Sequence, residues 1–344
     1  MRARAQEFKK NVELEKLLAA LNCGLQEFNP PLSEEAISRG KTPLLILGNP
    51  RSGTTLTTQL LADTKIFAYP SNLSSRFYTN PFVGSVVHQM LSNPRLGFRD
   101  ETNLFCNREG LHHSDLGKTS GPLSINVFWY FWRHCFGIPI ESMNSAVLPS
   151  HVNERSLEKV ALGLAGISHA WGDKPVMLKG MILNWVVPQL DARIEFSPKY
   201  LWVRRRYEDT VRSILRARLK FFGSLDCYWS FKPPEYDAEI KSSDPIEEVA
   251  RQVVFTDKRL ERDLLAASAN WFEVDYELMC KYPLEKITEA LDELMGIEVN
   301  EESSVAYQTI DPSNGEPFDV QIEAQIQIRV AEAQEAWLEL SRES

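Results

Sequence analysis

The most constraining stretch of this chain is Gly48-Asn-Pro-Arg-Ser-Gly-Thr-Thr55. It lies between an unbroken apolar run, Pro43–Gly48 (PLLILG), and a segment of helical periodicity from Gly53 to Asp63. A continuous apolar run fits a strand buried on both faces, as in a parallel sheet covered by helices. Two glycines spaced GxxxxG between such a strand and a helix make an anion cradle. Successive backbone N–H groups and the positive end of the helix point at the same spot. The residue after the second glycine is Thr54, where a triphosphate-binding loop carries a lysine for the outer phosphates. Here the cation comes earlier, as Arg51. That arrangement suits a ligand with one phosphate in the cradle and a second anionic group just beyond it. The competing reading is a glycine turn that holds nothing, and the complete string PRSGTT speaks against it.

The rest of the chain repeats the strand–helix alternation. Strands are expected at Ile66–Tyr69, Val176–Leu178, Tyr200–Val203 and Trp271–Asp275. Helices are expected near residues 10–22 and 35–39, with Ser33 as a cap, and at Pro81–Leu91, Val127–Phe136, Glu154–Trp171 and Ile182–Leu190. Further helices are expected at Tyr207–Phe222, Pro245–Ser268, Tyr282–Met295 and Gln321–Leu340. The expected fold class is α/β, a P-loop-type central parallel sheet of about five strands flanked by helices, with a largely helical and loop insertion. The 344 residues are read as a single domain, with a helical leader over 1–42, an insertion over 70–174 and a tail over 300–344.

Charge and apolar content narrow the functional classes. With 38 basic and 47 acidic residues the net charge is −9, which argues against a general nucleic-acid binder. No apolar run is long enough to span a bilayer and the N-terminal stretch lacks the core of a secretory signal, so no transmembrane segment and a cytoplasmic setting are expected. The five scattered cysteines form no CxxC and suit reduced thiols better than disulfides or zinc.

The loop PRSGTT after the first strand resembles the 5′-phosphosulfate loop of sulfotransferases that use PAPS (3′-phosphoadenosine 5′-phosphosulfate) and release PAP. The resemblance implies that Arg51, Ser52, Gly53, Thr54 and Thr55 surround the 5′-phosphosulfate. Arg51 would then stabilise charge on the bridging oxygen as the sulfuryl group leaves. The segment KYLWVRRRYEDTVRSIL extends the likeness. In the family a strand-end arginine and a serine eight residues later hold the 3′-phosphate, and Arg205 and Ser213 have that spacing. The family's Arg-Asp-Pro-Arg-Asp is here Arg205-Arg-Tyr-Glu-Asp209, which leaves Arg204 as a second candidate. In PVMLKG, Lys179 stands where the cytosolic branch has the lysine of a Lys-Thr-His triplet, which contacts the transferring group. WFEVDYELMC resembles the family's Tyr-Glu-Asp segment and implies that Tyr276 stacks on, or hydrogen-bonds near, the adenine. The likeness covers residues 43–69 and 175–296. The family's glycine- and lysine-rich C-terminal loop over the 3′-phosphate has no counterpart here.

The implied reaction moves a sulfuryl group from PAPS to a hydroxyl, less readily an amine, of a small-molecule, lipid or carbohydrate acceptor, with no metal. The triplet's histidine, which serves as the base, is Met181 here, and Pro70-Ser-Asn-Leu73 lacks the glutamate that other members place beyond the loop. The base is therefore sought in 107–121, with His112 and His113 as candidates and Asp115 to orient one ring, because an imidazole pKa of ~6.5 suits proton removal. His88, Asp100 and Glu101 are the reserves. Trp129, Tyr130, Phe131 and Trp132 are read either as core or as the wall of an acceptor pocket. Two alternatives stand beside the enzyme: a PAP-binding protein with little catalysis, and a P-loop nucleotide kinase.

Overall fold

The computed structural model describes residues 11–93, 95–96, 114–115, 118–139, 145–193, 195–267, 270–298, 310–312 and 317–343. Four strands form its parallel sheet: β1 (Leu44–Gly48), β4 (Met177–Lys179), β5 (Lys199–Arg204) and β6 (Trp271–Asp275), in the order β4-β1-β5-β6. Two short strands, β2 (Ser114–Asp115) and β3 (Lys118–Thr119), pair separately and antiparallel. The strand expected at Ile66–Tyr69 shrinks to a single bridge from Ala68 to Val176 beside β4. Pro70 and Pro175 flank that bridge and bring no N–H to a ladder, so the pairing cannot lengthen.

The register explains the unbroken apolar run of β1. Leu44 and Ile46 enter a core with Leu60, Leu61, Val274 and Leu291, while Leu45 and Leu47 enter another with Phe131, Leu164 and Trp202. Both faces of the strand are covered, so neither carries polar residues. The first face is packed by α3 (Thr54–Asp63), α10 (Tyr276–Lys281) and α11 (Pro283–Met295). The second is packed by α5 (Trp129–Phe136), α6 (Glu154–Ala170) and α7 (Val187–Asp191). Phe131 and Trp132 are core residues, whereas Trp129 and Tyr130 are half-buried. A third cluster joins α8 (Tyr207–Phe222), α9 (Pro245–Ala266) and α12 (Val320–Glu343). α1 (Val12–Leu25), α2 (Glu34–Lys41) and α4 (Pro81–Ser92) complete the α-helices among the described residues.

One expected helix is divided. Ile182–Leu190 becomes a 3₁₀ turn at Met181–Leu183 followed by α7: Asn184, bonded to Gly48, is still helical, and the backbone leaves the helix at Val186, just before Pro188 in the first turn of α7. The helix expected at Tyr282–Met295 is present as α11, opened by Pro283, and the separate α10 precedes it.

β1 lies between β4 and β5, and the chain passes from β4 across β1 to reach β5. Ligands of open α/β sheets bind beyond the strand C-termini at such a switch. Gly48, Lys179, Arg204 and Asp275 end the four strands on this edge.

Candidate active site

Residues 48–53 turn the chain from β1 into α3 through three positive φ angles: Gly48 at 134°, Arg51 at 70° and Gly53 at 99°. Arg51 is not a glycine, so its left-handed backbone stores on the order of 1–2 kcal/mol of strain. Neighbouring side chains hold the loop in place. Asn184 Nδ2 donates to the Gly48 carbonyl at 2.9 Å, and Asn49 Nδ2 donates to the Val253 carbonyl at 3.0 Å. Ser52 Oγ donates to the Asn49 carbonyl at 2.9 Å, and Thr54 Oγ1 donates to Met181 Sδ at 3.1 Å. The Ser52 hydroxyl is thus used inside the loop and that of Thr54 on the turn after β4. α3 begins at Gly53 with no side-chain cap, in contrast to α2 and α6, which Ser33 and Asn153 cap. The positive end of such a helix favours an anion.

Arg51 and the start of α8 meet across 162 residues of sequence. Arg51 Nε donates to Ser213 Oγ at 2.9 Å, and Arg205 Nη1 donates to the Arg51 carbonyl at 3.0 Å. The Arg205 guanidinium lies 4.5 Å from the centre of the Tyr276 ring, and its Nε is 3.8 Å from Glu277 Oε1. Tyr276 also packs against Gly53, where an added Cβ would fall 2.1 Å from Tyr276 Cδ2. The expected pair Arg205 and Ser213 therefore stands beside the loop, with Tyr276 bracing both. Arg204 does not share that position. It pairs with Asp257 at 3.0 Å, Glu273 at 3.4 Å and Glu261 at 3.5 Å, and covers the Trp202 ring.

Lys179, at the end of β4, donates to Thr55 Oγ1 at 2.6 Å and is only 7% exposed. Burial, assisted by the nearby Arg51 charge, pushes its ammonium pKa down to about 7. Lys179, Arg51 and Arg205 thus gather three basic side chains beside an uncapped helix end. This donor set fits a ligand carrying more than one phosphate or sulfate group.

Met181 is buried on Thr54 and supplies no base. The reserve His88 is a core histidine. It shares a 2.8 Å hydrogen bond with Ser71 Oγ, packs against Tyr69 and Trp171, and is pushed down to about 4 by burial. His112, His113, Asp100 and Glu101 lie outside the described residues, as does the side chain of Asp115. Sequence reasoning passed over Asn49, Asn184 and Glu277. An asparagine that anchors a loop by one amide has no local signature. Glu277, whose carboxyl is raised by burial, could have been found as the residue following Tyr276 in the same quoted segment.

No family model and no curated protein matches the chain. Among solved structures its fold is similar to the crystal structure of sulfotransferase STF1 from Mycobacterium tuberculosis, at a TM-score of 0.51, over 94% of this chain and 94% of that one, with 12% sequence identity. The α/β fold of this chain, with its parallel sheet, is therefore similar to that of a sulfotransferase along nearly its whole length.

Proposed function

We propose that this chain is a PAPS-dependent sulfotransferase acting on a hydroxyl of a small-molecule, lipid or carbohydrate acceptor, in the cytoplasm and without a metal. The observation that carries this reading is the meeting of its two anion-facing elements, with Arg51 of the loop bonded to Ser213 of α8 and Arg205 bonded back to the Arg51 carbonyl. A turn without a ligand gives no reason for three basic side chains to converge on the start of α3.

In this reading the N–H groups of α3, with Thr55 and Lys179, hold the 5′ end of the nucleotide, and Arg205 and Ser213 hold the 3′-phosphate. Arg51 reaches both groups. The donor supplies the sulfuryl group and departs as PAP. Cations fixed beforehand stabilise charge on the departing oxygens without reorganising at the moment of transfer. Tyr276 keeps Arg205 and the loop in register, and the region 70–174 forms the acceptor side. His112 and His113 remain the proposed bases. If one of them is the base, its alanine variant loses ~10²–10⁴-fold in turnover while still binding PAP. Near-normal turnover in both variants would overturn that assignment.

The direct test is a thermal shift. PAP at a hundredfold excess over its Kd should add ~2.7 kcal/mol of stability, and ATP with Mg²⁺ much less. A shift with ATP and none with PAP would favour a nucleotide kinase. A shift with PAP but no turnover of PAPS over a panel of hydroxyl acceptors, with or without EDTA, would favour a PAP-binding protein.

A further inference from the structure

Lys179 raises a question that its proposed role leaves open: how a cation comes to be buried with nothing to balance it. Its Nζ has one described hydrogen-bond acceptor, the Thr55 hydroxyl at 2.6 Å, which is neutral. On β1 its register partner is Ile46. From the loop it faces Arg51, whose charge repels it. Among the described residues no carboxylate offsets that repulsion. The acidic group named at the site, Glu277, is engaged with Arg205. A lysine so enclosed keeps its charge poorly until an anion arrives.

We propose that Lys179 is largely uncharged in the empty site and takes up a proton when the anionic end of the donor binds, so that donor binding and protonation are one event. The proton comes from the buffer acid. A new N–H bond forms at Nζ, and the buffer is left as its conjugate base. The burial and repulsion that hold the free ammonium near pH 7 support this, because a sulfate or phosphate beside Nζ reverses the local field. The inference rests on the sulfotransferase reading for the identity of the anion. It adds that the site is neutralised in steps and not held as a standing cluster of three charges.

The experiment is calorimetric titration of the full chain with PAP at pH 7.5–8.5, in buffers of different ionisation enthalpy. The phosphates of PAP are fully ionised there, so their own protons do not contribute. The wild type should take up close to one proton per PAP, and its affinity should fall roughly fivefold to tenfold between pH 7.5 and 8.5. Lys179→Arg, charged throughout this range, should bind PAP with little uptake and a flat pH profile. Lys179→Met, which places a volume of similar length in the same apolar setting, should also show little uptake, with weaker binding. PAP binding without proton uptake in the wild type would overturn the proposal and leave the sulfotransferase reading standing. Equal uptake in the wild type and both variants would also overturn it, and would point to Glu277. Absence of any PAP binding would overturn both.

Discussion

Three adjacent arginines, Arg204 to Arg206, do three different things, and what separates them is what each meets beyond the end of β5. Arg204 turns to Asp257, which is buried and also accepts from the Tyr207 hydroxyl at 2.8 Å. Arg206 is 68% exposed and lies 3.8 Å from Asp209. Arg205, with a side chain 2% exposed, is the one committed to the loop. A charge-assisted hydrogen bond of the kind expected between Arg205 and a 3′-phosphate is worth ~1.5–3 kcal/mol. Arg205→Ala should therefore narrow the preference for PAP over AMP, measured as the ratio of their Kd values, by at least about tenfold. Arg204→Ala should leave that ratio alone and cost ~1–3 kcal/mol of stability in denaturant, since Asp257 loses its buried partner. An unchanged ratio in Arg205→Ala would mean that the 3′-phosphate is read by other groups. The string of arginines announced an anion site or a solvated helix start; it could not say which member would be buried, because that depends on Asp257 and Tyr276, 53 and 71 residues further on.

At the scale of elements, what could be read locally was read well. The run into β1, the glycine-bounded start of α3, the strand β6 and the helix α8 all follow from apolar period and breakers within a few residues. What failed was decided at a distance. The Ile182–Leu190 segment has helical apolar spacing, yet its backbone leaves the helix at Val186, beyond the Asn184 that binds both backbone groups of Gly48, and the helix restarts only at Val187. Ile66–Tyr69 has strand character, but the prolines on either side of its bridge to β4 leave room for one contact. The candidate site shows the same division. The cradle is legible because its glycines answer to geometry: Gly53 stands at a φ of 99° with the Tyr276 ring where a Cβ would be. The link from Arg51 to Ser213 joins two segments that nothing in the sequence orders relative to one another, and only the parallel register of β1 with β5 brings them together.

Over the whole molecule, α8 belongs to two structures at once. One face carries Ser213 toward the loop, and the other carries Val211, Ile214 and Leu215 into the cluster that α9 and α12 complete with Ile326, Val330 and Ala333. α12 is also tied to α8 by Arg212, which donates to Glu323 at 2.6 Å and pairs with Asp209. The tail helix is thus part of the scaffold under the proposed 3′-phosphate residues, although it supplies none of them. Ile326 is fully buried, so Ile326→Ala should cost ~2–5 kcal/mol through lost burial and the cavity left behind. Because α9 connects this cluster to β1 through Asn49, the loss should lower one cooperative transition, followed equally by tryptophan fluorescence and far-UV circular dichroism. Adding PAP should then restore the same increment of stability in the variant as in the wild type, since no group in the crevice has changed. Two separated transitions would show that α12 unfolds on its own. A smaller increment from PAP in the variant would show that the tail helix sets the position of Ser213 as well as the stability of the helix that bears it.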